Sequence, residues 1–337
     1  MREHLRCAVE AAPALAAITL AACGSSKELP PSPEPASAPT TAEQPAGRVV
    51  RLGGAPEGAI LDPGADLLAV ALRRPAALAL VDAASGKLDR RVALSGAARH
   101  LQLVGPGAPV LVPAEDADRL IEVTLPNGRT TSIPVGRQPH DATATAGRIF
   151  VGNELGDTVS VIERGQVIRT LPAPVHPGGL AVPAPGLVGV VAVKERKLAL
   201  YDARRLRELG RVDAGVGPTH IVGDGRGRLF VVDTQGDAVL VYRTRPQLAL
   251  ESRTYVAGMP YGIAVDPGRN RLYVTTTSTN RIVDLALRGN QPPIAVDSYP
   301  SVRQPNTVAI DPRSGRLFVL GRGGGELQII TPRLRGR

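Results

Sequence analysis

Short apolar runs separated by turn chemistry dominate the chain, and one complete unit of the pattern occupies residues 259–287, MPYGIAVDPGRNRLYVTTTSTNRIVDLAL. Residues 261–265 form an apolar run, Asp266-Pro267-Gly268-Arg269-Asn270 supplies a tight turn, and residues 271–275 are rich in β-formers. Ser278-Thr279-Asn280 turns the chain again before the run 281–287. The pattern predicts strand, turn, strand, turn, strand, with no helical spacing.

The unit recurs along most of the chain. A small or Pro-containing anchor followed by an apolar run and a second β-rich run appears at positions 56, 99, 139, 177, 218, 260 and 305. Successive differences are 43, 40, 38, 41, 42 and 45 residues. A strand-only period of about 40–45 residues is the mark of a β-propeller with four strands per blade. Seven anchors predict seven blades. The last copy has only three strand runs, whereas residues 48–52, RVVRL, precede the first anchor with nothing to pair with. This N-terminal strand is expected to complete the last blade, removing an exposed sheet edge.

Tyr273-Val274-Thr275-Thr276, Phe150-Val151-Gly152-Asn153 and the strand endings Val81-Asp82, Tyr201-Asp202 and Val283-Asp284 resemble the YVTN-type bacterial propeller repeat from about residue 49 onward. The resemblance implies a surface or periplasmic propeller and names no ligand.

Residues 1–22 join Arg2 and Arg6 to an apolar run ending Leu20-Ala21-Ala22-Cys23. This reads as a secretion signal, too short to span a bilayer comfortably. Its ending resembles a lipobox, which implies cleavage before Cys23 and lipid attachment to that thiol; the alternative is an ordinary signal with an incidental cysteine. The other cysteine, Cys7, would leave with the signal, so no disulfide, zinc spacing or c-type haem motif remains. Residues 23–46 are dense in Pro, Ser and Ala without apolar periodicity, and predict a disordered, solvated tether ahead of a propeller at 47–337.

Composition narrows the chemistry. Trp is absent and aromatics are only 3%, so the blades must pack through aliphatic side chains, unlike WD-repeat or quinoprotein propellers. Sialidase-type Asp boxes need Trp and are excluded; no nucleophile elbow or phosphate loop occurs. The formal charge of +9 is unchanged by loss of residues 1–22, which carry Arg2 and Arg6 against Glu3 and Glu10. The arginines are scattered over many loops, which speaks against nucleic acid as a partner and for a compositional origin of the charge.

Propeller ligands bind where loops from every blade converge on the channel. The anchor register brings Glu57, His100, His140, Gly178, Thr219, Tyr261 and Asn306 toward that mouth, with Asp141 and His220 one step further on. One reading places a divalent or transition metal on His100, His140 and His220, with Asp141 or Glu57. The other makes them polar residues of a wet channel, and the metal remains unassigned. The sequence therefore predicts an all-β, seven-bladed propeller, monomeric and anchored through lipidated Cys23 to the outer side of a bacterial membrane. It would act as a binding or scaffold module for a small polar ligand or an envelope protein. The alternative is a metal-dependent lactonase- or hydrolase-like enzyme at the channel mouth, for which no catalytic residue is assigned. Cys23→Ser should abolish incorporation of labelled fatty acid and release the protein from membranes. A wild type that takes up no label, beside a mutant that still sediments with membranes, would overturn the lipobox reading.

Overall fold

Apolar residues at consecutive positions, rather than alternate ones, mark strands covered on both faces. Leu67–Arg73 and Ala76–Asp82 are of this kind and are buried along nearly their whole length. In the computed structural model, which describes residues 29–333, such strands are the middle members of seven four-stranded antiparallel sheets, the blades of a β-propeller. The proposed signal, residues 1–22, and Cys23 lie outside the described residues.

The first strands of blades 1 to 7 are Pro56–Asp62, Gln102–Leu103, Pro139–Thr145, Pro177–Ala181, Pro218–Gly223, Pro260–Asp266 and Pro305–Ile310. Each touches the first strands of both neighbouring blades, so together they line the central axis. The backbones crowd there: a Cβ on Gly58 would meet the Arg99 carbonyl oxygen at 2.3 Å, and one on Gly262 the Asn306 carbonyl oxygen at 2.7 Å. The seventh sheet runs Arg48–Arg51, Glu326–Ile330, Leu317–Gly321, Pro305–Ile310, with Arg48 opposite Ile329 and Arg51 opposite Glu326.

The core is divided into seven apolar clusters, each between two adjacent blades. Phe150, Phe230, Tyr273 and Phe318 sit on the second strands of blades 3, 5, 6 and 7 and are fully buried, so these blades place a large aromatic filler on the same strand. Fourth strands such as Leu88–Ala93 and Arg207–Asp213 are mostly exposed and polar, which is why they carry little hydrophobic signal.

One device recurs at the blade junctions. Asp118, Asp157, Asp237 and Asn280 each sit in the turn between the second and third strands of their blade, with φ of 52°, 51°, 47° and 50°. Asp and Asn tolerate this left-handed conformation better than most side chains. Their Oδ1 atoms accept the backbone N–H of Gln138, His176, Met259 and Gln304, the residues that open the first strand of the next blade, at 2.8, 2.9, 2.8 and 3.0 Å. Their own carbonyls accept from Val135, Ala173, Val256 and Ser301, where the chain leaves the fourth strand. Each turn thus holds both ends of the link between blades.

Residues 29–46, read from the sequence as a solvated tether, instead lie against the propeller as a strap. Ser32 Oγ is 3.1 Å from His176 Nδ1 on blade 4. The Ala36 N–H donates to Thr277 Oγ1 on blade 6, and the Ala38 N–H to Gln304 Oε1 on blade 7. Gln304 Nε2, Arg303 Nε and Asn280 Nδ2 donate to the carbonyls of Ala36, Ala38 and Pro39. Proline-rich extended backbone makes no internal hydrogen bonds, so its groups are free to pair with side chains of a surface that offers them in register.

The turn device is testable at Asp157. Asp157→Ala should lower unfolding stability by about 1–3 kcal/mol, the cost of stranding an N–H that a carboxylate held, while Asp157→Asn should stay close to wild type. Chemical denaturation measures both, and equal stability of the two variants would remove the side-chain bond from the account.

Candidate functional site

Six first strands carry a register irregularity at their mouth end, and the residues displaced by it include the predicted mouth residues. In blade 3, Pro139 opposes Asn153 and Asp141 opposes Gly152, leaving His140 out of the ladder. The shift spans Pro56 to Ala59 around Glu57, Pro177 to Gly179 around Gly178, and Pro218 to Ile221 around Thr219 and His220. It spans Pro260 to Ile263 around Tyr261, and Pro305 to Thr307 around Asn306. A bulge turns a side chain that would otherwise alternate with the pleat, here toward the axis.

His100, His140, His220 and Tyr261 converge. The His100 ring centroid lies 4.9 Å from that of His140 and 4.8 Å from that of His220, which meets Tyr261 edge-on at 4.4 Å. The other predicted residues serve contacts between strands and blades. Asn306 Nδ2 donates to Glu57 Oε1 at 3.2 Å, and Arg322 Nε lies 3.3 Å from Glu57 Oε2. The buried Asp141 carboxylate accepts the N–H groups of Leu180 and Ala142 at 2.8 Å each. Thr219 Oγ1 and Thr234 Oγ1 share a 2.7 Å hydrogen bond.

A second ring was not anticipated. Arg73, Glu115, Glu154, Val193, Thr234, Thr277 and Arg322 each follow or end the second strand of their blade. Each donates its N–H to the carbonyl of a residue at the entry to that blade: Ala55, Ala97, Gln138, His176, Gly217, Met259 and Gln304. The signal was present in the sequence, since these residues fall 14–16 positions after Glu57, His100, His140, Gly178, Thr219, Tyr261 and Asn306.

The two rings meet at His140. Its Nδ1 lies 3.0 Å from both Glu115 Oε1 and Glu154 Oε2, with all three side chains at most 12% exposed. Glu115 also faces Arg73 Nη1 at 2.9 Å and Arg99 Nε at 3.2 Å, and His176 Nδ1 is 3.7 Å from Glu154. Burial opposes protonation of His140, but its close pairing with the two carboxylates outweighs that and raises its pKa to about 9. Burial likewise disfavours the Glu154 carboxylate, yet His140 holds its pKa down at about 2. His220 is driven to about 3 by burial and then by the charges of His140 and Arg99. His100 is pushed well below the ordinary imidazole value by burial and its neighbours His220, His140 and Arg99. The mouth therefore holds one imidazolium beside two neutral imidazoles, although all three began as the same residue type.

Glu115, His140 and Glu154 also form a set whose ligand atoms lie within 4.8 Å of one another; of the histidines read as metal ligands, it contains His140 alone. Two guanidinium groups already sit on Glu115. A divalent ion here would face their repulsion and would have to displace the proton of His140, so this donor set fits a proton better than a metal.

Two cavities flank these rings. One of about 220 Å³ lies beneath the strap, lined by Ser32, Pro33, Glu34, Arg99, His140 and Tyr261 among others. The other, of about 400 Å³, extends along the channel past Asp141 and Thr143. Arg99, His100 and His220 line both.

Because the pKa of His140 lies above its unfolded value of about 6.5, its contribution to stability is full below that pH and lost as pH rises through about 9. Glu154 reports the same interaction from the acid side, present above the unfolded carboxylate range and lost as pH falls toward 2. The stability difference between wild type and His140→Gln should thus be greatest near pH 5–6 and shrink toward pH 9. A difference independent of pH over this range would show that His140 is not held protonated.

In sequence the chain matches no family model and no curated protein. In structure it is similar to a chain of the hydrazine synthase of Kuenenia stuttgartiensis, with a TM-score of 0.72 and 15% identity over 85% of this chain and 98% of that one. It is also similar to virginiamycin B lyase from Staphylococcus aureus, with a TM-score of 0.71 and 14% identity over 85% and 99%. The β-propeller domain of Cps50 from Myceliophteria thermophila gives 0.70 and 13% over 85% and 100%. At these identities the likeness shows the seven-bladed propeller fold, and the fold alone.

Proposed function

We propose that the protein is a binding module, held at the outer side of the cell membrane by lipid on Cys23, that takes a small polar ligand in the cavity beneath the strap. The observation that carries the reading is the convergence of incompletely paired polar groups on that cavity. His220 Nδ1 and Arg99 Nε are buried without a hydrogen-bond partner, Arg99 Nε facing Glu115 Oε1 only as an ion pair at 3.2 Å. The Tyr261 ring stands beside them. Buried polar atoms are normally paired, and exceptions that share one cavity, here His220 Nδ1 and Arg99 Nε, favour a ligand site there. A metal-dependent hydrolase is less well supported, because the donor set at Glu115, His140 and Glu154 is already neutralised by arginines and a proton.

The strap changes the geometry expected of an anchor. Nine residue-to-residue steps lead from Cys23 to Ser32, which is bonded to His176 at the mouth. Fully extended they reach at most about 32 Å. An anchored propeller would therefore present its mouth to the bilayer at short range, in place of standing off on a long tether.

Thermal melts of the full chain with a panel of small carboxylates, polyols and amines test the binding role. A ligand at a hundredfold excess over its Kd should stabilise the domain by about 2.7 kcal/mol. His220→Ala with Tyr261→Phe should remove that shift. A panel that shifts nothing, or that shifts the double variant equally, would overturn the reading.

A further inference from the structure

The strap does more than pass over the mouth: it places a carboxylate there. Glu34 lines the same cavity as Arg99, His140, His220 and Tyr261. Burial lowers the pKa of Arg99, but the charges of Glu115, Tyr261, Glu57 and then Glu34 raise it; burial and then the Glu34 charge raise that of Tyr261. The ion pairs around the mouth join Arg73, Arg99, Arg322 and protonated His140 to Glu57, Glu115 and Glu154. Within these pairs four cations face three carboxylates, and the buried Asp141 beside His140, its pKa raised to about 7 by burial, offsets only part of the excess. Glu34 adds a negative charge at the cavity, and its own side chain is exposed.

The segment bearing Glu34 is also the loosely held end of the strap. From Ala36 onward the backbone is bonded to Thr277, Gln304, Arg303 and Asn280, whereas among the described residues Ser32 to His176 is the single hydrogen bond between residues 29–35 and the propeller. Pro33, buried against the mouth, packs this end down without a directional bond. Lifting residues 29–35 would uncover the cavity while the rest of the strap stayed in place.

From this juxtaposition we infer that the mouth is a carboxylate-binding site and that Glu34 is its built-in competitor, displaced when a carboxylate-bearing ligand enters beside Arg99. The inference rests on the binding role proposed above and names its ligand class. A tethered competitor acts at a high effective concentration, of millimolar order for a short linker, so it weakens an external ligand of similar chemistry without altering the site.

Propionate, which reproduces the end of a glutamate side chain, is the probe, titrated calorimetrically into the full chain. Glu34→Gln should bind propionate about tenfold more tightly than wild type, in line with removal of a tethered competitor. Glu43→Gln, which removes a strap carboxylate paired with Arg281 away from the cavity, should match wild type. Arg99→Ala should abolish binding in both the wild-type and Glu34→Gln backgrounds. Equal affinity of wild type and Glu34→Gln, with loss only on Arg99→Ala, would overturn the competitor and leave the binding site standing. Failure of propionate beside His220-dependent binding of erythritol would overturn the ligand class and again leave the binding role. Silence of both probes on every variant would overturn this inference, and together with a silent ligand panel would overturn the binding role as well.

Discussion

The propeller depends on a repeated hydrogen bond between a left-handed turn residue of one blade and the backbone that opens the next, as in Asp157 to His176. Apolar burial between blades is large but non-directional and would tolerate a sliding or rotated neighbour. The carboxylate at Asp118, Asp157 or Asp237, and the amide at Asn280, fixes the point at which the next first strand begins. That point in turn sets the register of the bulge carrying the mouth residue. Side chains some 40 positions apart in sequence can therefore be placed within van der Waals reach on one axis.

The electrostatics of the mouth follow from this placement. His140 enters between Glu115 and Glu154, which come from the second-strand ends of blades 2 and 3. Two carboxylates on one imidazole outweigh the cost of burying its charge, and that charge, with burial, keeps His100 and His220 neutral. Arg73 and Arg99 complete the neutralisation of Glu115, a buried group that would be costly to leave unpaired. The polarity of the ring is uneven. Arginines come from blades 7 and 1, carboxylates from blades 2 and 3, and uncharged residues from blades 4 to 6.

The strap shows why composition alone misreads a Pro-rich segment. Residues 29–46 lack the apolar content to form a core, and in isolation would be solvated. Seated on the propeller, they trade water for Thr277, Gln304, Arg303 and Asn280, and bury Ala38 almost completely. Two of those residues, Asn280 through its side chain and Gln304 through its backbone N–H, also belong to the blade-joining device, so the surface that receives the strap is among the most firmly specified parts of the fold.

What the sequence determined by itself was the architecture. The spacing of anchors and the runs of Val, Leu, Ile and Ala, as in 67–73, decide the number of blades and which strands are buried, because period and local hydrophobicity are one-dimensional properties. It also placed His100, His140, His220 and Tyr261 at the mouth, since repeat register converts sequence position into angle about an axis. It did not separate these from Glu57, Asp141, Thr219 and Asn306, which share the register but spend their polar atoms on neighbouring strands and blades. Glu115 and Glu154 were legible only to a reader who applied the same register at a second position. Protonation at His140, neutrality at His100 and His220, and the seating of Glu34 were decided by tertiary structure alone. Each depends on distances of a few ångströms between segments remote in sequence, and Coulomb and desolvation energies vary steeply over that range.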